Sequence, residues 1–261
     1  MANRLKARMA GLVDALAYRV SLRRWSRAAR QASAANLSEL RVRRTRARAL
    51  RQKLNDLIFV ADSRLALPRI GSSAFVKPQG TDWSWRPQIW RGPLPEQGMA
   101  SVESKQMFGE EATVFHDCRI SELTVRQLRN TREEDLAPFG FRMDVFRFDG
   151  SFLSMVLDLP TEACQALQRR HLIRLNAIIE LEKPLEIFAR LNIKHGPNTE
   201  QIVRELPLAE AEVMVEFDLA YTKLNEKRAE KMWLDLIFEG PEMNQVTIRD
   251  LTFCRFPRAE I

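Results

Sequence analysis

Leu5, Met9, Leu12, Val13, Leu16 and Val20 recur at steps of three and four residues. At 100° per residue they fall on one stripe about 100° wide, which predicts an amphipathic helix. Lys6, Arg8 and Arg19 sit at the margins of that stripe, and beyond Ser21 the same face is taken over by Arg23, Arg27 and Arg30. Residues 31–35 are small and polar and read as a joint. Asn36 or Ser38 can cap a second helix running to about Val60. Its apolar face is Leu40, Ala47, Leu50, Leu54 and Leu57, and its other face carries Arg41, Arg44, Arg48 and Arg51.

After a Pro- and Gly-punctuated stretch, residues 68–98, the period changes from helical to alternating. Phe141, Met143 and Val145 alternate with polar residues, and Leu153, Met155, Leu157 and Leu159 recur at every second position. Asp149-Gly150 between these runs predicts a β-hairpin. Residues 160–167 read as a short helix or turn. Further strands are expected over 172–181, 185–194, 201–206, 213–219, 232–239 and 246–256. Several short strands without intervening long helices predict a mainly β chain, an antiparallel sandwich preceded by a helical arm. The expected boundaries are residues 1–64 for the arm and 65–261 for the sandwich with its Trp- and Pro-rich lead-in.

Charge sharpens that division. The chain carries a formal +7, with 41 Lys+Arg against 34 Asp+Glu, yet residues 1–64 alone hold 16 basic and 4 acidic side chains. The remainder is mildly acidic, so the basic character belongs to the arm and implies a polyanionic partner there. Snorkelling basic stems beside an apolar stripe suit an anionic membrane interface. The row of Arg41, Arg44, Arg48 and Arg51 equally suits nucleic-acid phosphates. The anion-binding set is therefore Arg8, Arg19, Arg23, Arg27, Arg41, Arg44, Arg48 and Arg51.

The order RELPL, VMVEFDLAY, TKLNEKRAEK and MWLDLIFEGPEMNQVTIRDLTFCRF resembles the closing strands of galactose-binding-like, carbohydrate-binding-module jelly rolls. That resemblance implies a jelly-roll sandwich and a glycan ligand. Calcium-binding turns are frequent in such domains, but no run of closely spaced carboxylates marks one here, and no metal site is carried over. TDWSWRPQIWRG and LNIKHGPNTEQIVRELP are similar to an uncharacterised group of alphaproteobacterial proteins with an unassigned domain.

Two clusters are candidates for ligand contact. Trp83, Trp85 and Trp90 offer indole faces that stack on sugar rings, against the alternative that they fill the sandwich seam. Asn192, His195 and Asn198 lie around the turn at Gly196-Pro197, where loops commonly bind ligands. His116 and Cys118 share a strand face but lack further ligands for a metal site. His171, beside Arg169 and Arg170, reads as part of a solvated charge run, and Asp218, Asp235 and Asp250 read as solvent-facing strand carboxylates. Three widely spaced cysteines, Cys118, Cys164 and Cys254, read as reduced thiols.

The chain lacks P-loop, GxGxxG, HExxH and GxSxG motifs, and neither a cofactor nor catalysis is expected. The reading is a non-catalytic binding or adaptor protein, cytoplasmic and peripheral on the inner membrane face. Its arm would rest on an anionic surface, and its sandwich would recognise a glycan, a lipid headgroup or a protein. The alternatives are a nucleic-acid-associated protein and a jelly-roll enzyme with an unidentified site.

Overall fold

The computed structural model describes residues 2–65 and 74–258. The chain divides into two compact units, Met1–Ile58 and Phe59–Ile261.

The first unit contains α1 (Ala2–Arg30), a 3-10 turn at Ala32–Ala34, and the start of α2 (Leu37–Leu65). Asn36 caps α2: its Oδ1 accepts from the Glu39 backbone N–H at 2.9 Å and from the Ser38 hydroxyl at 2.8 Å. An N-cap oxygen satisfies one of the orphan amides of the first turn, which is why the helix restarts here. The side chains of Leu5, Arg8, Met9, Leu12 and Val13 lie outside the described residues. At the end of that stripe Leu16 and Val20 are 66% and 60% exposed. Arg19, Arg23, Arg27, Arg41, Arg44, Arg48 and Arg51 are exposed as well. No helix among the described residues is long and apolar enough to cross a membrane.

The second unit is an antiparallel sandwich of two sheets. In chain order the strands are β1 (Trp83–Trp85), β2 (Gly98–Ala100), β3 (Gln106–Phe108), β4 (Ala112–His116), β5 (Leu123–Arg129), β6 (Phe139–Val145) and β7 (Leu153–Asp158). They continue with β8 (His171–Leu181), β9 (Glu186–His195), β10 (Asn198–Glu205), β11 (Glu212–Asp218), β12 (Ala229–Glu239) and β13 (Asn244–Pro257). A short helix α3 (Gln88–Arg91) follows β1. The first sheet runs β11-β8-β13-β6-β5-β2, with β1 also on β13, and the second runs β10-β9-β12-β7-β4-β3.

The pairs β6·β13, β7·β12, β8·β11 and β9·β10 are nested, first with last, and they fall alternately in the two sheets. That is the connectivity of one long hairpin rolled into two Greek keys, the jelly roll. Alternation along each strand sends one set of side chains into the shared core. Met155, Leu191, Leu234 and Leu236 come from the second sheet, and Phe141, Ile173, Phe217 and Phe253 from the first.

Two expectations are corrected. Asp149-Gly150 does not close a hairpin, because β6 belongs to the first sheet and β7 to the second. The glycine answers to space. A Cβ on Gly150 would lie 2.4 Å from Asp117 Oδ1 and 3.0 Å from the Cys118 backbone nitrogen. The Asp117 carboxylate clasps the crossover by accepting from the Ser151 N–H at 2.7 Å, the Ser151 hydroxyl at 2.6 Å and the Phe152 N–H at 3.2 Å. His171 is not in a solvated run either. It is 4% exposed at the start of β8, and its Nδ1 accepts from the Gln168 N–H at 3.1 Å.

Candidate functional site

β13 carries a bulge between Ile248 and Asp250. One extra residue on a strand reverses which side chains face inward beyond it. Val246 and Ile248 therefore point into the core before the bulge, and Leu251 and Phe253 after it, while Asp250 turns outward. The carbonyls at the bulge need other donors. Trp90 Nε1 donates to Ile248 O at 2.9 Å, and Asn130 Nδ2 donates to Arg249 O at 2.8 Å.

This geometry decides the fate of the tryptophan cluster. Trp90 is fully buried and committed to the bulge, so it is removed from the ligand-binding candidates. β1 pairs with β13 in the register Trp83↔Arg255 and Trp85↔Phe253, which turns both indoles to the inward side. They stack at 6.5 Å, Trp85 lies 5.6 Å from Phe253, and both are half-buried against the core. The cluster thus seals a seam of the sandwich rather than presenting an open platform.

Asn192, His195 and Asn198 are not brought to one face. Asn192 points outward from β9 and His195 inward, three residues on. His195 is 4% exposed, with Nδ1 accepting from the Asn225 N–H at 3.3 Å and Nε2 3.6 Å from Glu200 Oε1. Asn198 opens β10 across the turn and is exposed.

Asn192 leads to a site that the turn alone did not reveal. The registers of β10, β9, β12, β7 and β4 align residues into rows across the outer face of the second sheet. One row is Gln201–Asn192–Trp233–Asp158. The next holds Arg190, Asp235 and Val156. The third holds Phe188, Ile237, Ser154 and Phe115. Asp235 is only 4% exposed, although it stands on the outward side of the sheet. Arg190 covers it, with Nε 2.8 Å and Nη2 2.6 Å from Asp235 Oδ2. Asn192 Nδ2 donates to the same oxygen at 3.2 Å, and Gln201 Nε2 donates to Asn192 Oδ1 at 2.9 Å.

A hollow of about 380 Å³ opens beside this chain of amides and charges, with Phe115, Phe152, Val156 and Ile237 among its walls. Trp233 is partly exposed, and the Lys231 ammonium lies 5.8 Å from its ring centre. Lys231 pairs with Asp158 at 2.8 Å and Lys194 with Glu230 at 3.4 Å, so the face carries charges in matched pairs. Four strand spacings, on the order of 19 Å, separate β10 from β4 across this face. Among the described residues no group of three or more His, Cys, Asp or Glu is placed to hold a metal ion. Cys164 and Cys254 are buried free thiols, and burial pushes both up from the usual thiol range.

A sequence profile matches residues 5–261 end to end. The chain belongs to a family of unknown function, DUF6478. No curated protein matches it. Among solved structures, it is similar to the family 11 carbohydrate-binding module of a Clostridium thermocellum cellulase. The identity is 11%, covering 60% of this chain and 94% of that one, with a TM-score of 0.39. It is also similar to the xylan-binding CBM22-1 domain of Paenibacillus barcinonensis Xyn10C, at 8% identity, covering 71% and 100%, with a TM-score of 0.38. A third likeness is the enzymatically active domain of the bacteriophage CBA120 tailspike protein 4, at 7% identity and TM-score 0.39. This chain spans 55% of its own length there and 19% of the tailspike's.

Proposed function

We propose that the protein is a non-catalytic binder whose sandwich seats a neutral glycan on the outer face of the second sheet. The observation that carries this reading is Asp235. A carboxylate on the outer face of a sheet ordinarily reaches water, yet this one is buried beneath Arg190 and Asn192 and fixed by them. Fixed donors and acceptors in a row, beside half-exposed aromatic faces, match a ring that is polar at its rim and apolar on its faces. The paired charges around them favour an uncharged ligand over an ionic one. The arm, with its 16 basic residues against 4 acidic, holds the chain on an anionic membrane surface at the inner face of the membrane.

A glycan panel screened with the full chain, followed by calorimetry on any positive, tests the sandwich reading. Trp233→Ala is expected to weaken a glycan found there by about tenfold or more, given ~1–3 kcal/mol for a stacked ring. Gln201→Ala should weaken it less. Binding that survives Trp233→Ala and Asn192→Ala together would move the ligand elsewhere. Flotation of the full chain with anionic vesicles tests the arm; preference for duplex DNA over vesicles at equal salt would favour nucleic acid instead.

A further inference from the structure

We propose that the elbow between α1 and α2 is a binding site for paired phosphate groups. The two helices enclose a cavity of about 570 Å³ beside the Asn36 cap. Arg23, Arg24, Arg27 and the half-buried Trp25 line it from α1, and Arg43 and Arg46 from α2. Glu39 is the carboxylate among the lining residues, and it is taken by Arg43. The second guanidinium nitrogen of Arg43, Nη1, is buried without a hydrogen-bond partner. Among the described residues Arg23, Arg24, Arg27 and Arg46 have no ion-pair partner.

Guanidinium groups gathered around one hollow repel each other unless an anion joins them. Their planar forks fit the oxygens of a phosphate two at a time, and a doubly charged group answers several forks at once. Two banks facing across a cavity call for two such groups, one for each helix. Soluble diphosphates and triphosphates carry that chemistry, and so does a lipid headgroup with two phosphates. For the lipid the proposal rests on the membrane reading of the arm, with Trp25 at headgroup depth. For a soluble phosphate it stands without that reading.

The test uses the full chain, calorimetry with inorganic pyrophosphate and triphosphate, and flotation with charge-matched vesicles containing either diphosphatidylglycerol or phosphatidylglycerol. One variant combines R23Q, R27Q and R46Q inside the elbow. The other combines R30Q, R48Q and R51Q outside it, an identical loss of charge. Glutamine keeps helix propensity close to that of arginine, and circular dichroism verifies that helix content is unchanged. Elbow substitutions are expected to lower pyrophosphate affinity and the preference for diphosphatidylglycerol about tenfold or more. The outer set should lower them about threefold at most. Pyrophosphate binding that depends on the elbow, without vesicle binding, would sustain the site and end the membrane reading of the arm. Equal losses from both triple variants, or no binding of either phosphate probe, would overturn the proposal.

Discussion

On the outer face of the first sheet, Asp250 accepts two hydrogen bonds from Arg86, at 2.8 Å to Nε and 2.7 Å to Nη2. On the outer face of the second sheet, Asp235 is held by Arg190 at nearly the same distances. Each carboxylate also borders a hollow of about 380 Å³, so the pairs differ in how far the arginine itself is covered. The Arg86 side chain is 4% exposed and packs 5.0 Å from the Phe75 ring centre, in the lead-in segment before β1. The Arg190 side chain is 38% exposed beside an open hollow. An ion pair shut away from water contributes to the fold chiefly because neither partner can be removed without stranding the other. One that keeps an edge in water, at the wall of a hollow, can still exchange partners with a ligand. The same two residue types thus form a covered pair on one face and, on the other, a half-open pair where the proposed glycan would sit.

The largest test of that contrast is Arg86→Ala. It leaves the Asp250 carboxylate buried and is expected to destabilise the protein by about 3–5 kcal/mol in denaturant unfolding. A loss under about 1 kcal/mol, the range of surface pairs, would dissolve the distinction between the faces. Next in size is Trp90→Phe, which keeps a ring in the core but strips the donor from the Ile248 carbonyl at the bulge. An orphaned buried acceptor costs about 1–3 kcal/mol. Third is Arg190→Gln, expected to cost about 1 kcal/mol, because Asn192 still donates to Asp235 and water reaches the vacated edge. Its larger effect should fall on glycan affinity, read by calorimetry.

Much of the jelly roll was legible because strand period survives burial. Alternation at Leu153, Met155 and Leu157 marks the inward face of β7, the runs 172–181 and 232–239 read as strands, and the turn at Gly196-Pro197 marks the return of β10. The bulge left a trace as well. In Ile248, Leu251 and Phe253 the apolar step is three and then two, a break in period that marks an inserted residue. The failures have a common cause, since sequence shows which way a side chain points but not what lies over it. Asp235 and Asp250 do face outward, as strand parity implies, yet arginines from residues 45 and 164 positions away bury them. Trp83 and Trp85, two residues apart, share a face in any extended chain, but only the register with Phe253 and Arg255 shows that this face is inward. β2 to β5 went unread because most are short and half-exposed, and short runs carry little period.

The smallest expected effect concerns His171, buried at the start of β8 within electrostatic reach of Asp82 in the lead-in segment. Burial pushes its pKa below the ordinary 6.5, Asp82 opposes that shift, and Arg255 and Arg170 reinforce it, with Glu226 opposing more weakly. In the unfolded chain the imidazole takes up a proton near pH 6.5, before the folded one does. The unfolded state therefore binds more protons in that window, so stability should fall as pH drops below about 6.5 and level off beneath the folded pKa. Protonation at Nδ1 would also break its acceptance from the Gln168 N–H. Asp82, whose pKa is lowered from 3.8 against its burial by the Arg255 hydrogen bonds, loses its own contribution only at more acid pH, so the two windows separate. Thermal unfolding followed from pH 7.5 to 4.5 in the full chain and in His171→Gln reads the difference. The variant is expected to show a flatter midpoint profile over this range, and Arg190→Gln the unaltered slope. A slope unchanged in His171→Gln would mean that burial at the start of β8 does not hold this imidazole neutral.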